Sequence, residues 1–93
     1  MYRVVVTPAA MADVDYMEDW LLARRAHYAL DLSDALGAAV DRLVDHPQRA
    51  PMSRDGRYRE LYVTFHSNRY VIQYRVRGDR VTIARIRHSL EHR

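Results

Sequence analysis

The C-terminal run Ala84-Arg85-Ile86-Arg87-His88-Ser89-Leu90-Glu91-His92-Arg93 brings together the two side chains best suited to chemistry at an anion. Histidine exchanges a proton near neutral pH. Arginine offers a permanently charged planar fork to a phosphate or carboxylate. Together, Arg85, Arg87, His88 and His92 could move a proton and neutralise the charge of an anion. His88 and His92 lie four residues apart, so a helical tail would put them on one face. A metal site there would need a third ligand, and Glu91 is the nearby carboxylate. Solvated histidines at a frayed chain end are the plainer account. Neither a metal nor a cofactor is expected. His66 falls in a turn.

More cations precede this run. Arg59, Arg69, Arg75, Arg77, Arg85 and Arg87 fall on neighbouring predicted strands. One account is a solvated sheet surface pairing with residues such as Glu60 and Asp79, at under about 1 kcal/mol per exposed pair. The other is a cationic rim that meets an acidic segment or a nucleic acid, a role that suits Arg59, Arg85 and Arg87 best. All fifteen basic residues are arginine, so no lysine is available for acid–base work, and the formal net charge is +3. A GC-rich genome accounts for that bias as well as function does. Trp20, Tyr16 and Tyr28 read as core or helix-edge packing, but exposed they would be anchors for a partner. Tyr58, Tyr62, Tyr70 and Tyr74 read as cross-strand packing, with base stacking as the alternative. Three scattered glycines make no phosphate-binding loop.

The elements that must position these groups are legible in outline. Ninety-three residues, 48% of them hydrophobic, suit a single domain over residues 1–93. The absence of cysteine excludes disulfides and thiolate sites and fits a reducing cytoplasm. Val4-Val5-Val6 is too short an apolar run for a signal peptide, and no stretch approaches the roughly 18 residues of a membrane span. Tyr2, Val4 and Val6 alternate as a strand. Thr7-Pro8 reads as an N-cap with proline in the first turn, opening a helix from Pro8 to about Ala26 with the stripe Ala10, Val14, Met17 and Leu21. Its acids Asp13, Asp15, Glu18 and Asp19 lie early and Arg24 and Arg25 late, as the helix dipole favours.

A second helix carries Ala29, Leu32, Leu36, Ala39 and Leu43, and Pro47 stops it. Gly37 lies off that stripe, where close helix contact would offset its cost. The turn near His27 has neither Gly nor Pro. After a polar loop, three strands alternate: Arg59, Leu61, Val63 and Phe65; then Tyr70, Ile72, Tyr74 and Val76; then Val81, Ile83 and Arg85 opposite Thr82, Ala84 and Ile86. His66-Ser67-Asn68 and Gly78-Asp79 are the turns. The order β-α-α-β-β-β predicts an α+β fold, a helical hairpin on a mainly antiparallel four-stranded sheet.

Several pieces in this order resemble the RelE/ParE superfamily of toxins from type II toxin–antitoxin systems. They are Tyr2-Arg3-Val4 leading to Thr7-Pro8-Ala9-Ala10, Leu43 to Pro47, Gly56-Arg57-Tyr58-Arg59-Glu60-Leu61, Tyr70 to Val76, and Val81 to His88. The resemblance spans essentially the whole chain and implies a small cognate antitoxin with a DNA-binding N-terminal domain and an acidic C-terminal tail. It also implies one of two activities: ribosome-dependent mRNA cleavage in RelE-type members, or poisoning of DNA gyrase in ParE-type members.

The nuclease residues match poorly. Where nucleases usually place an arginine early in the central strand, this chain has Val71. Where RelE has lysines on the preceding strand, Tyr62 and Thr64 stand, and the C-terminal match falls on Ser89 with no tyrosine after it. The resemblance therefore favours a ParE-like, non-nucleolytic toxin. Arg59, Arg69, Arg75, Arg85, Arg87, Trp20 and Tyr16 would contact antitoxin or target. The alternatives are a ribosome-dependent mRNA endonuclease using His88 or His92 with Arg85 and Arg87, and a non-toxic basic nucleic-acid-binding module.

Overall fold

The computed structural model describes residues 2–90. Along them run β1 (Arg3–Val6), α1 (Pro8–Ala23), a 3₁₀ turn (Ala29–Asp31), α2 (Leu32–Asp41), a second 3₁₀ turn (Arg42–Val44), β2 (Arg59–Phe65), β3 (Asn68–Arg77) and β4 (Arg80–His88). The sheet order is β1-β4-β3-β2. β2, β3 and β4 form an antiparallel meander, and β1 lies parallel to β4 with Arg3 opposite Arg80 and Val6 opposite Ile83. The expected α+β fold and element order are both present.

Thr7 fixes the start of α1. Its hydroxyl accepts from the Ala10 amide (3.2 Å) and lies 2.8 Å from the Ile83 carbonyl and 3.0 Å from that of Ala84. One side chain thus caps the helix and ties it to β4. Pro8 occupies the first turn, as the sequence predicts.

The end of α1 comes three residues earlier than expected. The Ala26 amide donates to Leu21 O (3.0 Å), the Arg25 amide donates to Leu22 O (2.9 Å), and Arg25 has φ 58°. This is a Schellman turn with arginine in the left-handed position that glycine usually fills. The absence of Gly and Pro hid the stop signal. Apart from its chain neighbours and its own helix backbone, nothing lies within 4 Å of where a Cβ on Gly37 would stand, so no close contact with another helix offsets it.

The helices contribute Ala10, Met17, Leu21, Leu32, Leu36, Ala39 and Leu43 to the core, over Val63, Tyr70, Ile72, Tyr74, Val81, Ile83 and Ile86 of the sheet. Ile86 corrects the simple alternation predicted for β4. Gln73 pairs with Arg85 but Tyr74 pairs with Ile83, so Ala84 is an extra residue. That bulge resets the side-chain phase and turns Ile86 into the core beside Ile83.

The 45–58 loop is pinned to the sheet. The buried Tyr74 hydroxyl donates to the Pro47 carbonyl, and Arg59 Nη1 donates to Gln48 O (3.0 Å) and Ala50 O (2.7 Å). Within it, the Asp55 carboxylate accepts from the Ser53 hydroxyl (2.6 Å) and the Arg57 amide (3.1 Å). These hydrogen bonds, that of Ser53 foremost, hold its carboxyl below the usual range.

Candidate functional site

The C-terminal strand separates the side chains that its sequence crowds together. Arg85 emerges at the bulge and turns to α1, where Nε and Nη2 each donate at 2.8 Å to the two oxygens of Asp13. β1 ends at Val6, level with Ile83, so the next stretch of β4 pairs with β3 but has no strand on its other edge. Asp13 fills part of that gap: its Oδ2 also accepts the Ile86 amide at 2.9 Å. The carboxylate is only 5% exposed. A buried charge needs a paired, hydrogen-bonded setting, and this one has it. Arg85 is therefore part of the scaffold that joins α1 to β4.

Arg87 stands opposite Val71, on the face away from the helices. His88 stands opposite Tyr70, on the other face, its ring edge-on to Tyr70 with centroids 5.3 Å apart. Its Nδ1 accepts from the Leu90 amide (3.2 Å), and Nε2 lies 3.1 Å from Asn68 Oδ1. The Leu90 amide can only donate, so this contact favours the tautomer with the proton on Nε2. Arg85, Arg87 and His88 thus point in three directions and enclose no common reacting centre. His92 and Glu91 lie outside the described residues.

The other arginines divide between scaffold and surface. Arg59 is a strut for the loop, through its bonds to Gln48 and Ala50. Arg69 lies over the Tyr62 ring at 5.1 Å, and Arg75 over Tyr58 at 4.6 Å, with its Nε donating to Arg57 O at 3.3 Å. Both are exposed, and their guanidinium edges can still meet an anion while the planes rest on rings.

Tyr16 and Trp20 lie one turn apart on α1, 56% and 44% exposed, so they are not core residues. Arg24 covers one face of Trp20 at 3.9 Å. Tyr16 borders a shallow cleft lined by Ala9, Ala12, Asp13 and Arg85. Small residues on α1 leave the floor of that cleft low, and the exposed ring of Tyr16 at its rim suits a protein partner. Tyr28 differs: it is half-buried, edge-on to Phe65 and stacked on His66 at 3.9 Å. His66 and Ser67 both have positive φ, the geometry of a tight hairpin turn. Among the described residues no helix is long and apolar enough to cross a membrane.

Asp13 is the residue that sequence reasoning misplaced. It reads as one of several acids serving the helix dipole, yet it lies three residues after Ala10 and four before Met17, on the buried stripe. An acid on an apolar stripe was the available signal.

A family model described as the ParE toxin of type II toxin-antitoxin system, parDE, matches residues 4–92. Two curated relatives come from Caulobacter vibrioides. Toxin RelE3 is 40% identical over 93 residues, covering all of both chains. Toxin RelE1 is 36% identical over 92 residues, covering 99% of this chain and 98% of its own. A solved structure described as a chromosomal ParDE TA system from P. aeruginosa shares the fold, with a TM-score of 0.75 at 24% identity, covering 95% of this chain and 96% of that one.

Proposed function

The chain belongs to the ParE toxin family within the RelE/ParE superfamily of type II toxin–antitoxin systems, and from that premise we propose that it arrests growth as a ParE-like poison of DNA gyrase in the bacterial cytoplasm. One observation carries the choice of docking over catalysis: Arg85, Arg87 and His88 diverge, and Arg85 is held by a buried carboxylate. Cleaving RNA through its 2′-hydroxyl needs a base, a phosphate-neutralising cation and an acid about one phosphorus atom. In this fold the nearest candidates serve other partners.

Membership implies a cognate antitoxin. In our reading it is small, with a DNA-binding N-terminal domain and an acidic C-terminal tail. An amphipathic segment of that tail lays apolar side chains against Tyr16 and Trp20, the helix-in-groove mode. Its carboxylates meet exposed arginines such as Arg69 and Arg75.

Supercoiling by purified gyrase and a primer-extension map of mRNA in a translating extract, run side by side, test the target. The expected result is impaired supercoiling with intact messages. Codon-phased cuts that vanish in His88→Ala would overturn the proposal in favour of the ribosome-dependent endonuclease. Harmless expression with nucleic-acid binding alone would favour the basic binding module.

A further inference from the structure

The β3–β4 turn gathers cations that the reading above leaves unused. Register places Arg3 of β1 opposite Arg80 of β4, and Arg80 opposite Arg77 of β3. Three guanidinium groups therefore stand side by side across three adjacent strands, on the face away from the helices. Like charges directly opposite one another destabilise a sheet. Among the described residues none of the three forms an ion pair within 4 Å. Two clefts adjoin here and share Arg75 and Arg77. The smaller, of about 310 Å³, is also lined by Arg3, Arg80 and Thr82, and its one carboxylate is Asp79. The larger, of about 450 Å³, adds Arg57 and Arg59.

We propose that this row, Arg3, Arg80 and Arg77, binds the phosphate backbone of duplex DNA without regard to sequence. Strands lie about 4.8 Å apart, so the row spans roughly 10 Å. Duplex DNA presents one negative charge per 1.7 Å or so of its axis, which sets several phosphates within reach of such a row. Arginine stays charged at any working pH and matches phosphate with two donors.

The surroundings select the occupant. Binding of single strands relies on exposed aromatic faces; at this end Tyr58 lies beneath Arg75, and Tyr62 lies further along the sheet beneath Arg69. An acidic peptide would want a large apolar anchor amid its charges, and every position in the row is arginine. The contact stands apart from the choice of gyrase as target, since it needs only the chain and DNA.

Fluorescence anisotropy of the full-length chain with a labelled random-sequence duplex of about 20 base pairs, from 50 to 200 mM salt, is the test. Wild type should bind at low salt and weaken steeply as salt rises. Arg80→Gln and Arg77→Gln should each reduce the salt slope by about one, and the triple variant with Arg3→Gln should lose at least about tenfold in affinity at 50 mM. Arg42→Gln, an exposed change elsewhere, should match wild type. The proposal fails if wild type does not bind, or if the single variants keep the wild-type slope. It also fails if a single-stranded RNA or a polyglutamate peptide competes as well as duplex DNA. Because the single variants report separately, an unfolded triple variant leaves the slopes to decide.

Discussion

Asp13 serves three donors at once, Nε and Nη2 of Arg85 and the Ile86 amide. Removing its charge leaves a guanidinium partly desolvated and an edge amide poorly met. Breaking one side of such a buried pair typically costs about 3–5 kcal/mol. Asp13→Asn should therefore lower the unfolding free energy, read from urea titration, by an amount in that range, and a double-mutant cycle with Arg85→Gln should show strong coupling. Tyr74 permits a second test. Burial raises its phenol above the ordinary value of 10, with the nearby Arg59 opposing that shift. A raised folded pKa means that the stabilisation is fully present below pH 10 and is lost as pH climbs through the folded value. Thermal melts of wild type should thus fall in alkali beyond pH 10, and those of Tyr74→Phe should fall less. At neutral pH, Tyr74→Phe should lose about 1 kcal/mol with the bond to Pro47.

Two backbone positions decide how well the helices suit their sequence. Arg25 holds φ 58° at the end of α1, a conformation costing a non-glycine residue about 1 kcal/mol. Arg25→Gly should raise stability by up to about that amount, read as a higher urea midpoint. Gly37 is the reverse case, an exposed glycine inside α2 with open space around it. Gly37→Ala should stabilise by about 1 kcal/mol through helix propensity. The bulge at Ala84 belongs to this scale as well. It brings Ile86 into the core and lets Arg85 leave the sheet for α1, so one inserted residue both completes the packing and removes a cation from the anion-facing set.

For the molecule as a whole, the two faces of the sheet carry different tasks. One is buried under α1 and α2. The other exposes Arg3, Arg69, Arg75, Arg77 and Arg80 to solvent, while α1 presents Tyr16 and Trp20 elsewhere on the surface. A partner that covers the aromatic pair can leave the arginine row open. Tyr16→Ala with Trp20→Ala should accordingly weaken capture by a co-expressed antitoxin at least tenfold, measured by titration of the purified pair, while the free chain stays folded with only a small drop in melting temperature. Equal capture by that variant would move the antitoxin interface off α1.

The strand and helix order, the N-cap at Thr7, the antiparallel meander and the family all follow from local signals: alternation, apolar stripes and turn residues recur over spans that a short window can read. The parallel pairing of β1 with β4 joins Arg3 to Arg80 and lies beyond such a window. The end of α1 did not, because Arg25 occupies a site whose usual marker is glycine. The site was harder still. Adjacent letters put Arg85, Arg87 and His88 together, but pleating sends successive side chains to opposite faces and the bulge diverts Arg85 to Asp13, 72 residues away in sequence. Strand pairing likewise assembled Arg3, Arg80 and Arg77, which no local pattern connects. Composition and periodicity settle which elements form, since those depend on neighbours along the chain. Which charges are neutralised and which face solvent depends on partners across the sheet, and only the tertiary structure decides that.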